Sequence, residues 1–275
     1  MALGLWLAPA VALANVFAAD GEDPRQFAGS AEVEAVYAPI GRTTTDGPVR
    51  VYTGDGPHAL ARVTVSGTGF MISPCLMVTN FHTVFGDVDT SPDRAGAHFV
   101  TFEVGAGTWK RFRYKARAEV LAWGDLGAGE DGDWALARVE GCPGGDASVG
   151  WFATDALGAI PRGGVEVSMA GFAADRALDR LSIQHTCRIH AGRALELIHD
   201  CASTGGDSGA PLLIQRSGRW AVVGLTSGAD EDERGVLRHF DPEHGNWAVR
   251  VEAILADPRA KALIDSELTR QQASN

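Results

Sequence analysis

Short runs of apolar and β-branched residues, each bounded by turn-forming residues, cover most of the chain beyond residue 60. Runs of this kind are typical of β-strands, and the lack of helical stretches between them disfavours a parallel sheet. The pattern therefore predicts two series of antiparallel strands. The first series comprises residues 61–65, 67–73, 76–80, 98–104, 111–116, 118–123 and 133–140, and the second comprises residues 165–172, 180–189, 195–200, 210–215, 220–228 and 246–251.

One segment without a strand pattern separates the two series, and another follows the second series. Residues 141–150, GCPGGDASVG, combine glycines with a proline and predict a linker between two β lobes. From Val251 onward, apolar residues recur at helical intervals interrupted by Pro258, which predicts a C-terminal helix or helix pair. We therefore expect an all-β protein whose first lobe spans residues 57–145 and whose second lobe, with the C-terminal helix, spans residues 146–275.

The N-terminal segment is apolar and uncharged, and the first basic residue of the chain is Arg25. The length of this segment and the small residues near its end predict a signal peptide over residues 1–18, cleaved after Ala14 or Ala18. Because no basic residue precedes the apolar core, a start further upstream and an apolar N-terminal strand stay open as alternatives. The stretch 19–56, rich in Asp, Gly, Pro and Thr, predicts an arm laid over the surface of a lobe.

Composition narrows the classes of function. Hydrophobic residues make up 45% of the 275 residues, so the chain can bury a sizeable core and is not mainly disordered. With 35 acidic and 24 basic residues, the net charge of -11 repels phosphate backbones, and we expect no nucleic-acid partner. No apolar run is long enough to cross a bilayer as a helix. We expect no membrane contact after removal of the signal peptide, and we expect a monomer.

The four cysteines, at positions 75, 142, 187 and 201, are an even number without C-x-x-C spacing. In an exported protein this pattern favours disulfides over metal ligation. His185, His190 and His199 lie near Cys187 and Cys201 in the sequence, but the compact ligand pairs of a zinc site are missing. We therefore predict a secreted or periplasmic protein with disulfides and without a metal site.

The segment from Ser203 to Leu212, STGGDSGAPL, places glycines on both sides of a serine and continues into an apolar run. Glycine lets the main chain approach a substrate closely. Such a turn can direct the amides of Gly206 and Ser208 at one point beside the Ser208 hydroxyl, where they would stabilise the anionic oxygen of a tetrahedral intermediate. The segment predicts a nucleophilic serine with an oxyanion hole.

A serine nucleophile needs a base within hydrogen-bonding reach and an acid that orients the base. His82 follows the apolar run 76–80, at the exit of a predicted strand. Asp133 opens the predicted strand 133–140, whose apolar residues enter the core. The neighbouring acids read as turn residues: Asp87, Asp125 and Asp131. His82, Asp133 and Ser208 are therefore the candidate catalytic residues.

These segments resemble the motifs of the chymotrypsin and trypsin superfamily of serine endopeptidases. The matching segments are TNFH at 79–82 for T-A-A-H, DWAL at 133–136 for D-I-A-L, and GDSGAP at 206–211 for G-D-S-G-G-P. The resemblance spans residues 61–251. The segment 203–209 and the absence of a cysteine directly after His82 are most similar to the bacterial glutamyl-endopeptidase branch.

The resemblance implies a chymotrypsin-like fold of two six-stranded antiparallel β-barrels with a C-terminal helix and an active site between the barrels. It implies that Ser208 attacks a peptide carbonyl, that His82 transfers the proton, and that Asp133 orients the imidazole. Hydrolysis would proceed through an acyl-enzyme intermediate. The implied partners are protein or peptide substrates, and no cofactor is implied.

In the fold that the resemblance implies, we expect the cysteines to pair as Cys75–Cys142 and Cys187–Cys201. Cys75 starts the predicted strand that leads to His82, and Cys142 follows the strand that leaves Asp133. In relatives a freed N-terminus pairs with the acid at the position of Asp207, but no Ile-Val-Gly-Gly segment follows a basic residue here. The sequence leaves open how the protein becomes active.

In the family, the specificity pocket is formed by the residues just before the serine loop, which here is the segment around Ser208 that begins at Gly205, and by the strand after that loop. The matching residues are Ala202, Ser203, Thr204, Thr226, Ser227, Gly228 and Ala229. Ala202 stands where a carboxylate would select Arg or Lys, and Thr226 stands where the glutamyl branch has a histidine. The acidic run that begins at Asp230 predicts a solvated loop.

Two other functions are considered beside the endopeptidase. A catalytically silent binding protein of the same fold would retain the core and lose members of the triad, whereas all three are present. An esterase of the α/β-hydrolase fold would combine Ser208 with Asp230 and His239 or His244. That fold requires a helix after the serine, and here the sequence continues as a strand.

Overall fold

The computed structural model describes residues 15–17, 22–50, 60–85, 98–106, 112–125, 129–176, 178–229, 240–241 and 245–274. The strands are β1 (Gln26–Phe27), β2 (Ile40–Arg50), β3 (Leu60–Met71), β4 (Leu76–Thr79), β5 (His98–Ala106), β6 (Phe112–Trp123), β7 (Ala135–Val139), β8 (Ala153–Thr154), β9 (Val165–Gly171), β10 (Ser182–Arg193), β11 (Glu196–His199), β12 (Pro211–Arg216), β13 (Arg219–Ala229) and β14 (Asn246–Arg250). The helices are α1 (Ser30–Glu32), which runs into a π-helical turn (Val33–Tyr37), then α2 (Phe81–Phe85), α3 (Val251–Ala256) and α4 (Pro258–Ser274). Single 3-10 turns lie at Glu130–Gly132, Pro143–Gly145 and Ala174–Arg176.

The first barrel closes through six antiparallel strands in the order β2-β3-β4-β7-β6-β5. Its interior is filled by alternate residues of these strands, among them Met77, Phe102 and Ala137. β4 is buried along its whole length, because Met77 faces the barrel interior while Leu76 and Val78 face the second lobe. This double burial explains why β4 is a continuous apolar run in the sequence.

The second barrel closes through β9, β10, β11, β14, β13 and β12, with β12 paired back to β9. Val167, Met169, Leu212 and Val223 fill its interior. Two short strands extend the sheet at its margins: β1 pairs antiparallel with β10, and β8 pairs parallel with β13. The N-terminal arm is thereby attached to the second barrel.

A third apolar cluster joins the barrels to each other and to the C-terminal helices. Phe70 from the first barrel, Phe172 and Leu213 from the second, and Ile254 and Ile264 from α3 and α4 are buried in it. The break between the two helices lies at Asp257, whose Oδ1 accepts hydrogen bonds from the main chain at the start of α4. A side-chain acceptor followed by proline is a typical helix start.

The prediction of an all-β protein with two six-stranded antiparallel barrels and a C-terminal helix is confirmed. The lobe boundary placed at residue 57 differs from the structure, because β2 belongs to the first barrel although the sequence analysis assigned it to the arm. The buried side of β2 carries threonines in place of apolar residues, so the sequence shows no strand pattern there. Thr43 and Thr45 are both buried, and the Thr45 hydroxyl donates to the main-chain oxygen of Thr83.

Two disulfides reinforce the barrels. Cys75 is joined to Cys142, and Cys187 is joined to Cys201. The chain-entropy model gives about 4 kcal/mol for the loop of 67 residues and about 3 kcal/mol for the loop of 14 residues. Both pairs have the partners that the sequence analysis expected.

Most of the predicted signal peptide, residues 1–14 and residue 18, lies outside the described residues, and so does the acidic run from Asp230. Asn15 is described and fully buried, and its main chain exchanges hydrogen bonds with the Asn246 side chain. In the part of the chain that the structure describes, every helix is too short or too polar to cross a membrane.

Candidate active site

The end of β4 and the short helix α2 place His82 opposite Asp133. Asn80, between the two elements, donates from its side-chain nitrogen to the main-chain oxygen of Asp133 at 2.8 Å. The His82 amide donates to Asp133 Oδ1 at 2.9 Å, and His82 Nδ1 lies 2.8 Å from Asp133 Oδ2. Three contacts thus hold the His82 segment against Asp133, and one of them joins the imidazole directly to the carboxylate.

Asp133 is buried, with a side chain that is 1% exposed. Burial alone would raise its pKa, but the charge and hydrogen bonds of His82 and a hydrogen bond from Ser227 outweigh burial, and the pKa lies below its ordinary value. The group is therefore a carboxylate at neutral pH.

The loop that carries Ser208 is held between the barrels by main-chain contacts. The Thr68 amide donates to the Ser208 oxygen at 2.8 Å, and the Gly209 amide donates to the Thr226 oxygen at 2.8 Å. A Cβ at Gly209 would lie 2.1 Å from the Thr68 oxygen, and φ at this residue is 87°. Only glycine fits such a close approach with a positive φ.

The segments that carry His82 and Ser208 meet at Gly67. A Cβ on Gly67 would lie 2.7 Å from the side chain of Thr83 and 3.1 Å from the main-chain oxygen of Ser208. Thr83 follows His82 directly in α2. His82 and Ser208 therefore belong to neighbouring segments across the gap between the lobes.

The seven predicted pocket residues do not all point the same way. Ala202 and Ser203 are buried beside the serine loop, and their amides donate to the Gln184 side chain and to the Asn15 oxygen. By contrast, the Thr204 hydroxyl donates to Asp175. The Thr226 hydroxyl contacts the Met169 sulfur, and Gly228 and Ala229 are partly buried at the end of β13.

Ser227 has a contact that the sequence analysis missed. Its hydroxyl donates a short hydrogen bond to Asp133 Oδ2, the same oxygen that faces His82 Nδ1. The β13–β14 register shifts between Thr226 and Gly228, so strand alternation alone does not give the direction of the Ser227 side chain. The motif match placed this residue in the pocket wall, whereas the structure places its hydroxyl on the carboxylate.

Within the described residues, one group of potential metal ligands lies close together: Cys187, Cys201 and Asp200. The two cysteines are joined to each other as a disulfide. Their sulfurs are therefore not thiolates, which are the form in which cysteine binds zinc. This group does not fit a zinc ion.

Comparisons with known proteins agree with this geometry. The model of the trypsin-like peptidase domain matches residues 67–225, a range that includes His82, Asp133 and Ser208. No curated protein sequence matches the chain significantly.

Solved structures with the same fold include several proteases. A Glu endopeptidase in complex with MPD has a TM-score of 0.56 at 17% identity, over 87% of this chain and 97% of that chain. The protease Anisep from Arthrobacter nicotinovorans has a TM-score of 0.50 at 14% identity, over 82% of this chain and 92% of that one. A protease from M. tuberculosis, in its active form, has a TM-score of 0.50 at 20% identity, over 81% and 80%.

At these identities the structures establish a shared fold. The family match covers more than half of the chain and contains all three motifs on which the resemblance was based. The chain therefore belongs to the trypsin-like peptidase family.

Proposed function

We propose that the protein is a serine endopeptidase that uses Ser208, His82 and Asp133. The observation that carries the proposal is the buried Asp133 carboxylate, held 2.8 Å from His82 Nδ1 beside the loop that bears Ser208. Asp133 fixes the imidazole tautomer in which Nδ1 carries the proton, so Nε2 can accept the Ser208 proton as the hydroxyl oxygen attacks a peptide carbonyl.

The reaction proceeds in two steps. After attack, the imidazolium of His82 gives its proton to the leaving amine, and an acyl group remains on the Ser208 oxygen. Water, deprotonated by His82, then attacks the acyl-enzyme, and His82 returns the proton to the Ser208 oxygen as the carboxylic acid product leaves. In both steps the amides of Gly206 and Ser208 stabilise the oxyanion, and one such donor contributes about 3 to 4 kcal/mol in sites of this kind.

The noncatalytic rival is a binding protein with a peptidase fold. Digestion of a denatured protein such as reduced casein separates the two functions, because only an endopeptidase generates internal fragments. We expect the wild type to produce new peptides and Ser208→Ala to produce none, while Ser266→Ala, changed at an exposed serine of α4, still cleaves. A wild type that binds the substrate without cutting it would support the rival.

We also propose that the protein is secreted or periplasmic, and that signal cleavage follows Ala14. The two disulfides suit an oxidising compartment.

The Asn15 oxygen accepts hydrogen bonds from the Ser203 amide at 3.1 Å and from the Asn246 side chain at 2.8 Å. Cleavage after Ala14 retains these contacts beside the pocket, whereas cleavage after Ala18 removes them. Mass spectrometry of the exported protein should find Asn15 as the first residue, and a first residue of Ala19 would contradict the proposal.

A further inference from the structure

The N-terminal arm carries one arginine into the interior beside the serine loop. The Arg25 side chain is only 2% exposed, although arginine is rarely buried without a partner. Its Nη2 lies 2.8 Å from Asp23 Oδ2 and 2.6 Å from Asp175 Oδ2, and its Nη1 lies 3.6 Å from Asp207 Oδ2. One guanidinium thus faces three carboxylates, and Asp207 is the residue directly before Ser208.

The Asp207 carboxylate is buried on the side of the loop that faces the arm. Its Oδ2 accepts a hydrogen bond from the Thr204 amide at 3.0 Å. Its Oδ1 fills the space next to Gly171, where a Cβ would lie only 2.5 Å away. Burial raises the pKa of Asp207 to about 7, while the Thr204 amide and the Arg25 charge act to lower it. Without a cation, the ionised form of this group would be an unpaired buried charge, which is costly.

Among the residues that the structure describes, only Arg25 brings a cation within ion-pairing distance of Asp207. Arg176 lies 3.3 Å from Asp23 and donates to the Arg25 main-chain oxygen. It therefore supports Arg25 and does not replace it. Thr204 also contacts Arg25, because Arg25 Nη1 donates a hydrogen bond to the Thr204 hydroxyl at 3.2 Å.

The arm holds Arg25 in place through the second barrel. The strand β1 directly after it pairs with β10, and the Ala28 amide donates to the Leu181 oxygen at 3.0 Å. The turn that contains Asp175 is also attached to the serine loop, since the Ala174 amide donates to the Gly205 oxygen at 2.7 Å. The guanidinium is thus fixed on one side by the arm and on the other by the loop that precedes Ser208.

We propose that Arg25 is a positioning residue: its buried guanidinium, held against the Asp207 carboxylate, fixes the Gly206–Ser208 main chain in the form whose amides stabilise the oxyanion. The inference rests on the serine-endopeptidase function proposed above. Its consequence is that a side chain of the arm supplies the cation for Asp207. The protein then needs no newly cut N-terminus at this position to become active.

The first test compares Arg25→Gln with Arg216→Gln. Arg216 is a matched control, because it forms an ion pair with Asp155 at 2.8 Å but is half exposed and lies at the end of β12 away from the serine loop. We expect Arg25→Gln to lower kcat for a peptide substrate about 100- to 1000-fold, the range for loss of one oxyanion donor, with KM within about threefold. Arg216→Gln should leave both constants unchanged.

Two further variants separate positioning from folding. Arg25→Lys retains the charge, so it should fold and have a kcat between those of the wild type and Arg25→Gln. In an Asp207→Asn background, Arg25→Gln should lower kcat by less than about threefold, because the partner charge is already gone. An equal fold loss in both backgrounds would overturn the inference. So would a wild-type kcat in Arg25→Gln, or a fall in Tm for Arg25→Lys with an unchanged kcat per active site.

Failure of the proposed function has a different signature. A wild type that neither cleaves peptides nor reacts with a fluorophosphonate would overturn the endopeptidase and the role of Arg25 with it. A reactive wild type with a fully active, folded Arg25→Gln would overturn only the role of Arg25.

Discussion

At the residue scale, the buried Asp133 carboxylate lies against the His82 imidazole, with Oδ2 2.8 Å from Nδ1. Asp133→Asn removes the charge and allows the wrong imidazole tautomer, in which Nδ1 accepts a hydrogen bond from the amide. We expect kcat at neutral pH to fall by roughly 10⁴-fold, the size of the effect of the same substitution in a characterised serine endopeptidase of the superfamily. Kinetics on a peptide substrate would check this, with Asp131→Asn in the preceding turn as the control. An Asp133→Asn variant that keeps more than a tenth of the wild-type kcat would contradict the assigned role.

The sequence predicts some residue roles and not others, for physical reasons. His82, Asp133 and Ser208 each lie in a short local motif, so their candidacy can be read without a structure. Ser227 contacts Asp133 because of a register shift between Thr226 and Gly228, which leaves no sequence signature. The pairing of Arg25 with Asp207 joins residues that are far apart in the chain, and an arginine in a polar arm looks solvated until β1 is seen to pair with β10.

At the element scale, α4 stabilises the junction between the barrels. Ile264 is 8% exposed and packs in the shared apolar cluster, whereas Leu268, one turn later, is 39% exposed. We expect Ile264→Ala to lower the free energy of unfolding by about 2 to 4 kcal/mol and Leu268→Ala by less than about 0.5 kcal/mol. Urea unfolding of both variants with the disulfides intact would measure the difference. Equal losses would show that α4 does not insert Ile264 into the core.

The strands were largely predictable and the arm was not. β4, β7, β9 and β12 coincide closely with apolar runs, because each is buried by at least one barrel. β2 was assigned to the arm because glycines, a proline and buried threonines replace the usual apolar residues. Its pairing with β3 and β5 places it in the barrel, and such long-range pairing is not encoded in local composition.

At the scale of the whole molecule, buried titratable groups make stability depend on pH. Burial lowers the pKa of His199 to about 4, whereas histidine in the unfolded chain titrates near 6.5. Between these values the unfolded chain binds a proton that the folded protein does not, so stability falls as the pH drops from about 6.5 to 4, by about 3 kcal/mol in total. Asp207 acts in the opposite direction, because its raised pKa stabilises the folded protein at low pH.

A His199→Leu variant isolates the histidine contribution. The free energy of unfolding of the variant, relative to the wild type, should rise steadily as the pH falls from 7 to 4, since leucine binds no proton in either state. Urea unfolding at several pH values would measure this difference. Parallel curves for the two proteins would show that burial does not lower the His199 pKa.

The most direct test of the whole account is covalent labelling with a fluorophosphonate, which reacts only with a serine activated by a base and an oxyanion hole. Intact mass and peptide mapping should show one adduct on the wild type, located on Ser208, and none on Ser208→Ala. His82→Ala should also resist labelling although its serine is retained. A wild type without an adduct, or an adduct that persists in Ser208→Ala, would contradict the account.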